Sequence, residues 1–159
     1  AEEWPFPSEA CFVSIETSVP VGDSSMGKGP ICRVGDRITI FDNDATESIL
    51  TAGKIHKIPV QRALLDRGVC EASALSAFGI KVAGISVPLG NYHNCTEDGK
   101  IDLEYVKLKD VEKLVDLMVA LIKEFPNGPS PHSVSKRHKY RSRAEKMVPF
   151  IENTEGDFS

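Results

Sequence analysis

The sequence predicts an α/β fold, and three observations carry the prediction. Short apolar runs rich in β-branched residues alternate with segments of helical periodicity. The longest run, residues 80–87 (IKVAGISV), is nearly continuous in its apolar character, as expected of a strand covered on both faces. The connections around the helix before it, 66–70 and 79–80, are short, which suits a βαβ unit with a parallel strand pair. The chain is organised around residues 68–97: a short helix, this strand, its end at Pro88-Leu89-Gly90, and the polar turn Asn91-Tyr92-His93-Asn94. Ligands of open α/β sheets bind at the C-terminal edge of the strands, so the turn is the first place to look for chemistry.

Composition sets the outer limits. A chain of 159 residues with 41% apolar content can bury one core. The net charge of −4 argues against a protein built mainly to hold nucleic acid. No apolar stretch approaches the ~20 residues of a membrane span. The acidic start AEEWPFPSEA has no basic segment of the secretory kind. Cys11, Cys32, Cys70 and Cys95 form no CxxC pair and are expected as reduced thiols in a cytoplasmic protein, a disulfide being the alternative. A start at Ala1 rather than Met is expected of a chain processed or cut from something longer.

The elements follow in order. Residues 11–16 read as a buried strand ending at Glu16, and 17–29 as a loop rich in Ser, Gly and Pro. Residues 30–34 make a second strand and 37–41 a third. Asp42, Asn43 and Asp44 offer N-caps for a helix carrying Ala45, Ile49, Ala52 and Ile55 on one face and ending near His56-Lys57. Residues 59–65 return as a strand. Residues 71–78 form a small-residue helix stopped by Gly79. After a short extended piece at 102–105, Asp110 and Glu112 open the last helix, whose stripe of Val111, Leu114, Val115, Met118, Leu121 and Ile122 packs on the sheet. Residues 127–135 are a linker. Residues 136–146 hold six Lys or Arg against one Glu, and the chain ends in an acidic tail.

Two residues could carry chemistry, Glu16 and His93, each closing a predicted buried strand. Were those strands neighbours, both side chains would face one crevice. Carboxylate with imidazole is a common ligand set for zinc or cobalt. Two residues cannot hold a catalytic ion, which needs three protein ligands. A single His after a strand is more often a hydrogen-bonded turn residue, and a single Glu there is usually solvated. Gly27-Lys28-Gly29 lacks the GxxxxGK[ST] context of a phosphate loop and reads as a tight turn. Cys70 reads as a buried inert thiol, with a lowered pKa at a helix start as the alternative. Cys95 is a soft donor two residues from His93, and His56 a surface residue at a helix end. Tyr92 either borders a pocket or packs. The basic run reads as a solvated extension, with binding to nucleic acid or an acidic partner as the alternative.

Taken as an ordered set, residues 11–125 resemble the C-terminal part of the catalytic domain of the dinuclear metallo-aminopeptidases, which include glutamyl aminopeptidase and the tetrahedral (TET) aminopeptidases. The matching pieces are Val13-Ser14-Ile15-Glu16, Gly27-Lys28-Gly29-Pro30, Ile58-Pro59, and Gly68-Val69-Cys70-Glu71-Ala72. Gly79-Ile80, Ser86-Val87-Pro88, His93 with Glu97, and Leu108-Lys109-Asp110-Val111-Glu112 complete them.

The resemblance implies a phosphorylase/hydrolase-like three-layer α/β sheet and hydrolysis of peptides from the N-terminus by a water activated between two divalent ions, Zn or Co. Carried over by position, Glu16 is the carboxylate ligand of one ion, where many relatives have Asp, and His93 the imidazole ligand of the other. The family's remaining ligands and its general base match nothing here, so no catalytic residue is expected within this chain, which alone is expected to be inactive. Cys70-Glu71 replaces the family's Thr-Asp, and Asn91-Tyr92 an Arg-Tyr-like pair. With Gly90, the residues Glu71, Asn91 and Tyr92 are expected to border the substrate pocket. Residues 1–126 are then the peptidase part and 127–159 a linker and tail. The expected partners are a peptide substrate and further copies of the chain, since relatives form homo-oligomers, and not a membrane. The alternative is a non-catalytic α/β module that keeps the fold for binding or assembly.

Overall fold

The computed structural model describes residue 7, residues 10–129 and residues 139–146. The elements are β1 (Cys11–Ser18), β2 (Ile31–Arg33), α1 (Asn43–Ile55), β3 (Gln61–Ala63), α2 (Glu71–Ala77), β4 (Lys81–Gly90), β5 (Tyr105–Val106) and α3 (Leu108–Glu124). A 3-10 turn, Tyr92–Asn94, follows β4. The strands form one mixed sheet in the order β1-β4-β2-β3, with β5 paired to the end of β4.

The parallel pair lies elsewhere than the short loops suggest. β4 runs parallel to β1, with Glu16 opposite Ser86. β2 runs antiparallel to β4 and parallel to β3. The βαβ unit is therefore β2-α1-β3, and α2 joins two antiparallel strands separated by β2. β4 also runs on through Pro88, Leu89 and Gly90 instead of ending there. Pairing with β2 reaches Ser86 and pairing with β5 starts at Leu89, while Pro88 stands opposite Ser18 of β1.

Alternation along the strands separates two layers. Ala83, Ile85 and Val87 of β4, Cys32 of β2, and Val13 of β1 face α1 and α3. Val82 and Phe12 face the other way, with α2 and Phe41. Helices thus cover both faces, and the large core lies under α1 and α3. Asp42 caps α1 through a 2.8 Å bond from the N–H of Ala45. Ala45, Ile49 and Ala52 are buried, while Ile55 is exposed.

Residues 37–41 do not form a strand. The Asp36 carboxylate takes the N–H groups of Ile38 and Thr39, both at 3.0 Å, which a strand would give to a neighbour. One isolated bridge, Gly35 to Ile40, closes the turn. Buried Asp36 also accepts from the N–H of Cys70 and the hydroxyl of Ser73, tying this turn to α2.

The last helix keeps four residues of the expected stripe, with Leu114 in the core and Val111, Met118 and Leu121 packed against it, but its buried face is centred elsewhere. Asp110 is fully buried and accepts from Gly27 N–H at 2.6 Å and Gly29 N–H at 2.9 Å. With Asp110 turned inward, Leu114, Leu117 and Ala120 follow on the same face, and Val115 and Ile122 are exposed. The clamped turn needs its glycines: Gly29 has φ +92, and a Cβ there would sit 2.2 Å from the Pro59 carbonyl oxygen.

Residues 139–146 are helical, with Arg141 Nε 3.4 Å from Glu145 Oε1. The rest of the basic run, most of the linker and the acidic tail lie outside the described residues. Among the described residues, no helix is long and apolar enough to cross a membrane.

Candidate metal centre

The sheet face toward α2 is polar near the C-terminal end of β1. Ser14 and Glu16 are two residues apart on β1 and therefore share that face. Arg33, next to the inward-facing Cys32, also points there from β2. Between β1 and β2 runs β4, and the residue level with both Ser14 and Arg33 is Gly84. With no side chain in the way, Arg33 lies across β4 and places Nη1 2.6 Å from Glu16 Oε2. A Cβ on Gly84 would lie 3.1 Å from Arg33 Cδ and 3.0 Å from Phe41 Cε2. The Arg33 side chain is 4% exposed, and its guanidinium carbon stands 5.8 Å from the centre of the Phe41 ring.

The other oxygen of Glu16 meets Ser14. The Ser14 hydroxyl is 2.8 Å from Glu16 Oε1 and 2.9 Å from Glu71 Oε1, so two carboxylates converge on a hydroxyl that has one proton to give. Cys70, the residue before α2, completes the group. Ligand atoms of Glu16, Cys70 and Glu71 all lie within 4.8 Å of one another. Burial raises the Cys70 thiol above its ordinary value, with the Arg33 guanidinium pulling the other way. The Glu71 carboxyl is held below the usual range, first by its own backbone N–H, with Ser14, Glu16 and Arg33 adding to the effect against a burial penalty.

Among the residues singled out from sequence, Glu16 and Glu71 therefore meet directly. Glu16 also lines a cavity together with Ser18, Arg33, Arg67 and Tyr92. His93 does not line it. The His93 ring stacks on Tyr92 at 3.8 Å between centroids, and its backbone N–H donates to Glu104 Oε2 at 2.8 Å. His93 is exposed. The turn is strained: Asn91, His93 and Asn94 all have φ between 54 and 57. Asn91 donates to the Leu103 carbonyl at 2.8 Å, and Gly90 leaves room for the Tyr105 ring, which a Cβ would meet at 2.5 Å. Cys95 is exposed, and all four cysteines are free thiols. His56 pairs with Glu124 at 2.8 Å, joining the ends of α1 and α3.

Sequence reasoning passed over Ser14 and Arg33. The signal for Ser14 was its same-face spacing to Glu16. Arg33 had none, because its reach depends on strand order and register. The donor set suits a divalent ion: two carboxylates and a thiol are the three protein ligands that a zinc site requires.

The family model for M42 glutamyl aminopeptidase matches residues 9–117. No curated protein matches the chain. Among solved structures, PhTET1-12s, described as a dodecamer, is 29% identical with a TM-score of 0.57, over 73% of this chain and 34% of its own. The Pyrococcus horikoshii TET1 peptidase, described as assembling into a tetrahedron or a large octahedral shell, is 27% identical with a TM-score of 0.56, over 69% and 32%. An aminopeptidase from Desulfurococcus kamchatkensis shares the fold at 24% identity and a TM-score of 0.58, over 74% and 34%. The chain spans about a third of the length of these structures. With the mixed α/β sheet, the order of its elements and a family match covering more than half of its residues, the chain belongs to the M42 glutamyl aminopeptidase family.

Proposed function

We propose that this chain forms part of a metal-dependent aminopeptidase, with Glu16 as carboxylate ligand of one divalent ion and His93 as imidazole ligand of a second. The observation that carries the reading is the parallel pairing of β1 and β4. It brings Glu16 and the Tyr92–Asn94 turn to one edge of the sheet, where Glu16 and Tyr92 line a common cavity. When bound, zinc or cobalt ions supply Lewis-acid polarisation of the scissile carbonyl and a water of lowered pKa.

The chain's own residues provide orientation. Arg33 and Ser14 take opposite oxygens of Glu16 and fix the plane of its carboxylate. The Tyr92 ring limits how the His93 imidazole can turn, and Glu104 anchors the His93 backbone. Gly90, Asn91, Tyr92 and Glu71 border the substrate, and the Glu71 carboxylate offers a partner for the ammonium group of a peptide N-terminus. The remaining metal ligands and the general base come from outside this chain, which on its own does not hydrolyse peptides. Residues 1–126 form the peptidase part and 127–159 the linker and tail. The full protein assembles from several copies, as the TET relatives do, and the four free thiols favour a reducing, cytoplasmic setting.

Metal analysis of a full-length protein carrying this chain tests the reading. About two ions per chain are expected, with one lost in His93→Ala along with aminopeptidase activity. Unchanged metal content in that variant would refute it.

A further inference from the structure

β1 is the outermost strand of the sheet, and among the described residues β4 is its one neighbour. Sheet edges left open to water are guarded by charges, prolines or bulges. β1 has no proline, and its single charge, Glu16, points to the α2 face and is taken up by Arg33. The opposite face carries Cys11, Val13 and Ile15, and Ile15 is exposed.

Beside this edge lies an open apolar cavity of about 160 Å³. Cys11 and Val13 of β1, Ala45 and Ile49 of α1, and Leu121 and Phe125 at the end of α3 line it. Its one hydroxyl, Ser48, already donates to the Asp44 carbonyl at 2.7 Å, so the cavity calls for no polar group. An apolar space of roughly 150 Å³ holds a benzene ring, so one large apolar side chain fits here. Ile122 lines the cavity as well and carries the apolar surface on to α3. There Leu108, Val115 and Ile122 recur every seven residues, each more than half exposed, and between them Val111 and Met118 pack against the core. This is the spacing with which one helix receives another. Contiguous exposed apolar surface of this kind marks an interaction site.

What covers the surface follows from the place of Glu16. The reading above brings further metal ligands from outside the chain. On the inner side of β1 the sheet is filled by β4 and β2, so the free edge of β1 is the open side by which such residues reach Glu16. About two-thirds of the length of the matched TET structures has no counterpart in this chain, which is ample for a strand and a helix. We propose that the edge of β1, the cavity beside it and the Leu108, Val115 and Ile122 row of α3 form one docking surface. It takes a strand and an apolar-faced helix from the part of the peptidase outside this chain, with one large apolar side chain seated in the cavity. The proposal rests on the reading of the chain as part of a larger aminopeptidase.

Thermal melting of the full-length protein carrying Val115→Ala or Ile122→Ala tests it. On a bare helix face alanine is the better helix former, and the midpoint would hold or rise. On a covered face the deleted atoms leave a cavity, and the midpoint should fall by roughly 3–10 °C for each substitution. In the 159-residue chain, where both residues are exposed, neither substitution should lower the midpoint. A midpoint that holds or rises in the full-length protein, or an equal fall in the 159-residue chain, would overturn the proposal. Sedimentation of the 159-residue chain tests the competing occupant. A monomer is expected, and a dimer that Ile122→Ala dissociates would put a second copy on this face and overturn the proposal too. Failure of the aminopeptidase reading is seen separately, as unchanged metal content in His93→Ala of the full-length protein.

Discussion

Asp110 offers the sharpest test of how the fold is held. Its carboxylate is fully buried and accepts two backbone N–H groups, from Gly27 at 2.6 Å and Gly29 at 2.9 Å. Hydrogen bonds to a charged acceptor contribute about 1.5–3 kcal/mol each, and a buried donor left unpaired incurs its full desolvation penalty. In Asp110→Ala both donors lose their partner in a turn that Gly29 and Pro59 already pack tightly, so a loss of about 3–5 kcal/mol is expected. Asp110→Asn keeps one acceptor and turns an amide toward the other donor, for a loss of about 2–3 kcal/mol. Chemical denaturation followed by circular dichroism reads both values. For a chain of this size, the alanine variant should melt roughly 6–20 °C lower. A loss below about 1 kcal/mol in Asp110→Ala would show that the turn stands without its clamp and would refute the reasoning.

Two further outcomes are expected. Gly84→Ala should destabilise by about 1 kcal/mol and Gly84→Val by about 3 kcal/mol, because the added atoms meet Arg33 and Phe41 at contact distance or less. Equal or higher stability of Gly84→Ala in urea unfolding would show that Arg33 can give way freely. Burial pushes the Asp36 carboxyl up, but the Ser73 hydroxyl and the N–H groups of Cys70, Ile38 and Thr39 outweigh it and hold Asp36 below the usual range. A depressed carboxyl stabilises the fold above the unfolded-state value near 3.9 and loses that contribution as pH falls through the folded-state value. Stability measured from pH 6 to pH 2 should therefore drop less steeply in Asp36→Asn than in the parent, and an unchanged slope would contradict the assignment.

Periodicity and caps made most elements legible, and the ordered motifs made the family legible. Glu16 stood out because it ends an apolar run, and His93 because it follows one. What stayed hidden depends on contacts between distant segments. The centre of the buried face of α3 is set by Asp110 reaching the glycine turn 81 residues earlier, so an apolar stripe counted along the helix alone adds Val115 and Ile122, which are exposed, to the four residues that do pack. The turn at 37–41 has strand-like composition, but one carboxylate at Asp36 takes up its N–H groups. The antiparallel relation of β3 and β4 escaped because β2 lies between them, and strand order leaves no local mark. Arg33 and Glu16 are 17 positions apart on strands that never touch, and no pattern in either strand announces their pairing.

Gly84 makes β4 transparent at one position. A central strand ordinarily insulates its two neighbours, since its side chains fill the space above the sheet. Here the absence of a single methyl group opens an aperture through which positive charge from β2 acts on β1. Glu16 is thereby ion-paired with a side chain that starts two strands away. Variation at residue 84 would reorient the Glu16 carboxylate without altering any residue that touches it.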